Sequence, residues 1–290
     1  MPTPFEIEEG EGFLKIVGRL HGAGLIRSRS AFTLYALLRQ EAGRIKPGGY
    51  ELASSMGSPE LLEVLVRGPA EEVVVRIPEG ASVFEIEELL SRARIIPRGA
   101  LVGYVEARSL EGKLLPDTYR FFVGSRVEEV THKLLENFRD KAEPLFAGDE
   151  IYSERHLIIA SLLEREVPDF EERRIVAGII EKRLALGMPL QIDASVCYNK
   201  EKLLFYREGR YARCHPLRGV DFEIDSPYNT YLYSGLPPGP VGNPGLTSLK
   251  AAVRPRETAY LYYLSDPRTT KTIFAETFDE HYRNKLKYLN

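Results

Sequence analysis

The sequence predicts an α+β protein: two duplicated α+β modules followed by a mixed α/β domain. Three observations carry this expectation. The 290 residues are 43% hydrophobic and 28% charged, which supplies apolar side chains for a sizeable core and charge for a solvated surface. The front half resembles itself when aligned with its own continuation. Short strand-like runs bounded by Gly and Pro alternate throughout with stretches of helical apolar spacing.

Charge narrows the function classes. With 39 Lys+Arg against 42 Asp+Glu, the formal net charge of -3 gives no electrostatic reason to expect nucleic acid or an anionic membrane as the ligand. No stretch approaches the ~18 consecutive apolar residues of a membrane span, and the acidic start MPTPFEIEEGEG is not a targeting segment. Cys197 and Cys214 are the only cysteines, which excludes a disulfide scaffold and a four-cysteine zinc site. One disulfide or two free thiols both remain open.

The duplication is specific in its residues. Ile7 falls on Ile77, Glu9 and Gly10 on Glu79 and Gly80, Ile16 on Ile86, Leu20 on Leu90, and Leu25 and Ile26 on Ile95 and Ile96. Farther along, one place out of step, Gly43 falls on Gly112, Pro47 on Pro116 and Tyr50 on Tyr119. Each copy reads as a strand (residues 73–78 in the second), a Glu-Gly turn, an amphipathic helix (82–92), a second helix, an extended Pro-x-x-Tyr segment and a further helix. Ser82 with Glu85 predicts a capping box. The expected domains are residues 1–70, 71–148 and 149–290.

The last domain opens with a helix from an N-cap at Ser153 to Val167, stopped by Pro168. On a helical wheel its apolar side chains form a broad arc with Glu166 near the middle and Glu164 at the edge. A carboxyl group against apolar walls is desolvated, so its pKa rises and it can deliver a proton near neutral pH. Spacing alone does not choose between the two, and either can instead pair with an arginine such as Arg165 or Arg174. A second helix follows, from Asp169, with Glu172 as capping partner, to Gly187.

Residues 188–195 read as an extended segment presenting Gln191, Asp193 and Ser195 on one side, hydrogen-bonding groups suited to hydroxyl and acetamido ligands. The loop from Ser226 to Gly245, dense in Pro, Gly, Asn and Tyr, reads as a preset wall that holds Tyr228, Asn229 and Asn243. A helix after Thr247 or Ser248, two strands (260–265 and 272–276) and a helix capped by Thr277 with Glu280 read as structural. The five histidines show no ligand spacing, so neither a metal nor any other cofactor is expected.

Each duplicated unit resembles the LysM-like modules that grip N-acetylated glycan chains. Six motifs are similar, in order, to those of the YceG-like endolytic murein transglycosylase (MltG) family. They are Leu114-Leu-Pro-Asp-Thr-Tyr-Arg-Phe121, Ala160-Ser-Leu-Leu-Glu-Arg-Glu166, Gly187-Met-Pro-Leu-Gln-Ile-Asp193, Ser226-Pro-Tyr-Asn-Thr-Tyr231, Gly235-Leu-Pro-Pro238 and Asn243-Pro-Gly245. The resemblance implies LysM-like modules joined to a catalytic domain that cleaves peptidoglycan glycan strands, with Glu164 as the catalytic acid and Glu166 as second candidate. Tyr119, Gln191, Asp193, Ser195, Tyr228, Asn229, Tyr231 and Asn243 become the substrate-binding candidates. Gln191, Asp193 and Arg183 match the family pattern, whereas the family's Gln-Thr-Asp-Pro-Thr and Tyr-Asn-Arg-Leu runs are altered here to Gln191-Ile-Asp-Ala-Ser195 and Glu181-Lys-Arg-Leu184.

The resemblance also implies the outer face of the cytoplasmic membrane, an anchor helix upstream of this chain, and cell-wall synthases as partners. That compartment permits a disulfide between Cys197 and Cys214. The rival expectations are a non-catalytic glycan-binding scaffold, and a hydrolytic muramidase using Asp193 or Glu166 as an extra carboxylate.

Overall fold

The computed structural model describes residues 2–69, 71–146 and 150–289. The chain forms two compact units, Met1–Glu72 and Val73–Asn290.

In the first unit, β1 (Pro2–Ile7), α1 (Phe13–Gly22), α2 (Arg29–Leu38), β2 (Gly48–Ala53) and α3 (Ser58–Arg67) follow in order. β1 and β2 pair antiparallel, from Pro2 opposite Ala53 to Ile7 opposite Gly48. The helices are amphipathic and bury one face each, so Leu20, Phe32, Leu52, Leu61, Leu62 and Leu65 meet in a closed apolar core.

The second unit repeats that order in β3 (Glu72–Arg76), α4 (Val83–Arg92), α5 (Ala100–Glu106), β4 (Thr118–Phe122) and α6 (Val127–Lys141), with β3 paired to β4. The likeness extends to chemistry. Tyr50 donates its hydroxyl to the Lys46 carbonyl and Tyr119 donates its own to the Leu115 carbonyl, both at 2.5 Å. The turn after the first helix of each copy uses positive φ, at Gly24 (70°) and at Arg94 (57°). The predicted box at Ser82 does not form. Ser82 donates instead to Glu201, while Glu111 accepts the Val83 N–H.

A short 3-10 turn (Glu143–Phe146) leads to α7 (Glu150–Glu166), α8 (Phe170–Ala185), α9 (Asp193–Glu208), a second 3-10 turn (Gly219–Glu223), α10 (Leu246–Ala252), the antiparallel pair β5 (Tyr262–Ser265) and β6 (Thr272–Ala275), and α11 (Phe278–Tyr288). α7 begins before the predicted start: Ser153 lies inside the helix, and its side chain is outside the described residues. Asp169 and Thr277 do cap α8 and α11, accepting from the Glu172 and Glu280 N–H groups. Glu172, expected to return the bond, instead accepts from the Thr272 backbone and hydroxyl and so ties α8 to β6. Residues 188–195 are not one extended segment, because α9 starts at Asp193.

α7 lies at the centre of this unit's core. Ile159, Ala160, Leu162 and Leu163 are fully buried, α10 packs across α7 and α8, and the aromatic residues Phe84, Tyr198 and Phe205 join α4 to α9. Cys197 and Cys214 form a disulfide that ties α9 to the following loop.

Candidate active site

The end of α7 carries both carboxylates of the Glu-x-Glu motif, and two residues of spacing point them to different surroundings. Glu164 is locked. Its side chain is 4% exposed, its Oε1 accepts from Arg173 at 2.8 Å, and its Oε2 accepts the Gly245 N–H at 2.9 Å. Its stem packs against Gly80, where a Cβ would come within 3.3 Å of the Glu164 Cγ. With both oxygens engaged and an arginine in contact, Glu164 works as a clamp among α7, α8 and the Asn243-Pro-Gly245 turn. This arrangement differs from the unpaired, desolvated acid expected at Glu164: an arginine is in contact and both carboxylate oxygens accept hydrogen bonds.

Glu166 opens on a cavity of about 640 Å³. Gln191, Asp193, Tyr231, Tyr262 and Tyr263 line the same space, with Arg183, His281 and Lys285 also on its wall. One Glu166 oxygen accepts the Ala194 N–H at 3.0 Å, in the first turn of α9. Burial pushes its carboxyl up to about 7; the Ala194 bond opposes that rise and the negative charge of Asp193 adds to it. Asp193 accepts a 2.6 Å bond from the Tyr231 hydroxyl. Gln191 holds a positive φ of 53°, fixed by its own N–H on the Thr230 carbonyl. A non-glycine residue in that region costs energy, and such strain gathers where a side chain has to be aimed.

The other predicted binding residues lie elsewhere. Ser195 is fully buried, with its hydroxyl on the Ile192 carbonyl and the Thr230 hydroxyl. The start of α9 turns it away from Gln191 and Asp193. Asn229 is fully buried and pins its loop, donating to the Phe222 and Ile224 carbonyls and accepting the Tyr231 N–H. It therefore positions Tyr231 from behind. Asn243, also fully buried, accepts the Leu114 N–H and donates to the Ala81 carbonyl and to Glu111, joining the loop before α10 to the segments flanking α4 and α5. Tyr119 is a core tyrosine whose hydroxyl serves the Leu115 carbonyl and receives Asn137. These four satisfy internal polar groups. Tyr228 packs on Tyr198 with ring centres 5.0 Å apart, outside the cavity lining.

The structure adds residues that the sequence signals left unmarked. Tyr262 and Tyr263 of β5 and the inner face of α11 form one wall of the cavity, so the tail read as structural is part of the site. Two adjacent tyrosines on a short strand were the available signal. Among the described residues, the one cluster of metal-ligating types is Cys197, Cys214 and His215, and both of its sulfurs are in the disulfide.

This geometry has relatives. An endolytic murein transglycosylase of Streptococcus pneumoniae (serotype 2, strain D39) is 26% identical over 98% of this chain, and the chain spans 58% of that protein's length. An endolytic murein transglycosylase of Bacillus subtilis (strain 168) is also 26% identical over 98% of this chain, with 84% of its own length covered. The crystal structure of a yceG-like protein from Listeria monocytogenes superposes with a TM-score of 0.58 at 25% identity, covering 98% of this chain and 99% of its own. The model of the YceG-like family matches residues 5–287, and on that match the chain belongs to the YceG-like family.

Proposed function

We propose that this protein is a lytic transglycosylase that cleaves the MurNAc-GlcNAc β-1,4 bond inside peptidoglycan glycan strands, with Glu166 as its acid and base. The observation that carries the reading is a carboxyl, pushed up to about 7 by burial, at the wall of a cavity lined by tyrosines. Near neutral pH such a group holds its proton in a large share of molecules and can release it to a leaving oxygen.

The sequence of events follows from the side chains. Glu166 protonates the glycosidic oxygen as the bond to the muramyl C1 breaks, and positive charge develops on the ring. Asp193, oriented by Tyr231, faces that charge, and Gln191 holds a sugar substituent. Glu166, now a carboxylate, takes the proton from the sugar's 6-hydroxyl, whose oxygen closes on C1 to give a 1,6-anhydro ring. No water is consumed. The nucleophile belongs to the bound sugar, so its effective concentration is high. Tyr231, Tyr262 and Tyr263 offer rings against which sugar faces pack.

The two β-α-α-β-α blocks, with boundaries near residues 70 and 148, are LysM-like holders of the strand in this reading. The protein acts at the outer face of the cytoplasmic membrane, beside cell-wall synthases, in this reading. No helix among the described residues is long and apolar enough to cross a membrane.

The test is release of soluble fragments from purified glycan strands. The wild type is expected to release them and Glu166→Gln to bind strands without release. Full activity in Glu166→Gln would remove Glu166 from the chemistry.

A further inference from the structure

The second unit contains three arginines with mostly buried side chains near α7 and α8, and two of them have carboxylate partners. Arg165 pairs with Glu201, and Arg173 with Glu164. Arg183 is different. It is 8% exposed, its Nη1 donates to the Leu190 carbonyl at 2.6 Å, and its guanidinium lies 5.2 Å from the centre of the Tyr262 ring. No carboxylate pairs with it among the described residues, and its Nε is buried without an acceptor. A guanidinium stays protonated, and a buried cation without a counterion is costly, so the arrangement is incomplete as it stands.

Its surroundings indicate what would complete it. Arg183 lines the same cavity as Glu166, and Lys285 of α11 contributes a second cation to that wall. His281 sits with them, its ring stacked 5.3 Å from Tyr262 and its Nδ1 buried without a partner. Burial first, then the charges of Lys285 and Arg183, hold the His281 imidazole below its usual range, so it adds no third cation, and in neither form can it supply a counter-charge. The cavity is therefore polarised, with carboxyls on α7 and α9 and cations on α8 and α11. N-acetyl sugars alone are neutral: their hydroxyl and acetamido oxygens can accept hydrogen bonds from this wall but bring it no counter-charge.

We propose that Arg183, supported by Lys285, is a carboxylate-binding subsite that selects muramyl residues through an acidic substituent. This rests on the transglycosylase reading and specifies its substrate. Two sources share the chemistry: the lactyl carboxylate of a peptide-free muramyl residue, and a carboxylate on the attached peptide. A planar guanidinium with free N–H groups can receive either as a bidentate pair.

Three probes separate the possibilities when titrated against the purified protein. N-acetylmuramic acid carries the lactyl carboxylate. Muramyl dipeptide has that group tied up as an amide and carries a peptide carboxylate instead. N-acetylglucosamine carries neither. Arg183→Gln is expected to weaken at least one acidic probe tenfold or more while N-acetylglucosamine binding stays unchanged, and the probe that loses affinity identifies the source. Lys285→Gln, at an exposed position, is expected to weaken the same probe about threefold and to flatten its salt dependence. Equal binding of the acidic probes by Arg183→Gln and wild type would overturn the subsite, as would no effect from Lys285→Gln. Cleavage of glycan strands is scored separately. Cleavage without discrimination among the probes rejects the subsite and leaves the transglycosylase standing; discrimination without cleavage supports the subsite and rejects the transglycosylase.

Discussion

The two glutamates at the end of α7 should respond in opposite ways to the same substitution. In Glu164→Gln, the buried Arg173, 8% exposed and 2.8 Å from its partner, loses its counterion. Leaving one member of a buried pair uncompensated costs ~3–5 kcal/mol. In a domain of this size each kcal/mol moves Tm by ~2–4 °C, so the expected drop is roughly 6–20 °C. Glu166→Gln removes a carboxyl with no arginine in contact, whose folded pKa is raised from 4.5 to about 7. The folded state therefore holds this proton more tightly than the unfolded chain does. The associated stability is fully present below about pH 4.5 and is lost as pH rises through about 7. At pH 8 the substitution should stabilise the fold by up to ~3 kcal/mol, since each tenfold change in proton affinity is worth ~1.36 kcal/mol. Its activity should nevertheless fall by ~10²–10⁴, the range for loss of a general acid. The assay is thermal unfolding beside strand cleavage for both variants, with Glu164→Gln assayed well below its own Tm. The reasoning fails if Glu164→Gln keeps the wild-type Tm, or if Glu166→Gln loses stability at pH 8.

Other outcomes follow from the same contacts. The pH profile of kcat/KM should fall about tenfold per pH unit above pH ~7, as the acid of the free enzyme loses its proton, and Glu166→Asp should keep a falling limb with a lower plateau. Tyr231→Phe removes the exposed 2.6 Å bond that orients Asp193; kcat should drop by about tenfold, with a Tm change of only ~2–4 °C for each kcal/mol that the bond contributes to the fold. Asn243→Ala leaves the buried Leu114 N–H without its acceptor and removes one of the bonds made to the Ala81 carbonyl and to Glu111. It should cost ~1–3 kcal/mol, and denaturant melts should reveal it even where substrate binding by folded protein is unchanged.

Much of the fold could be read from the chain because its signals are local. Apolar spacing located α4 and α8, Asp169 and Thr277 marked helix starts, and the reading of strand, two helices, extended segment and helix matches the element order of residues 72–141. The failures were long-range. Ser82 and Glu85 had the spacing of a capping box, but Ser82 found Glu201 and Glu85 found Tyr211, partners more than a hundred residues away. The helical wheel ranked Glu166 as the more buried carboxyl, which holds for the desolvated group; the family resemblance pointed to Glu164, which Arg173 occupies. Asn229 and Asn243 carry side chains equally able to meet a sugar or a backbone carbonyl, and only the packed loop shows that they bond inward. Arg183 matched the family pattern without an assigned role. Its missing counterion is a property of three-dimensional surroundings that no spacing rule contains.

Digestion of glycan strands in heavy-oxygen water tests the central mechanism most directly. If Glu166 drives intramolecular closure by the 6-hydroxyl, the new muramyl ends are 1,6-anhydro, lighter by one water than reducing ends, and carry no heavy oxygen. Reducing ends labelled with solvent oxygen would contradict it and make the enzyme a hydrolase, with Asp193 or Glu166 activating water across the same cavity.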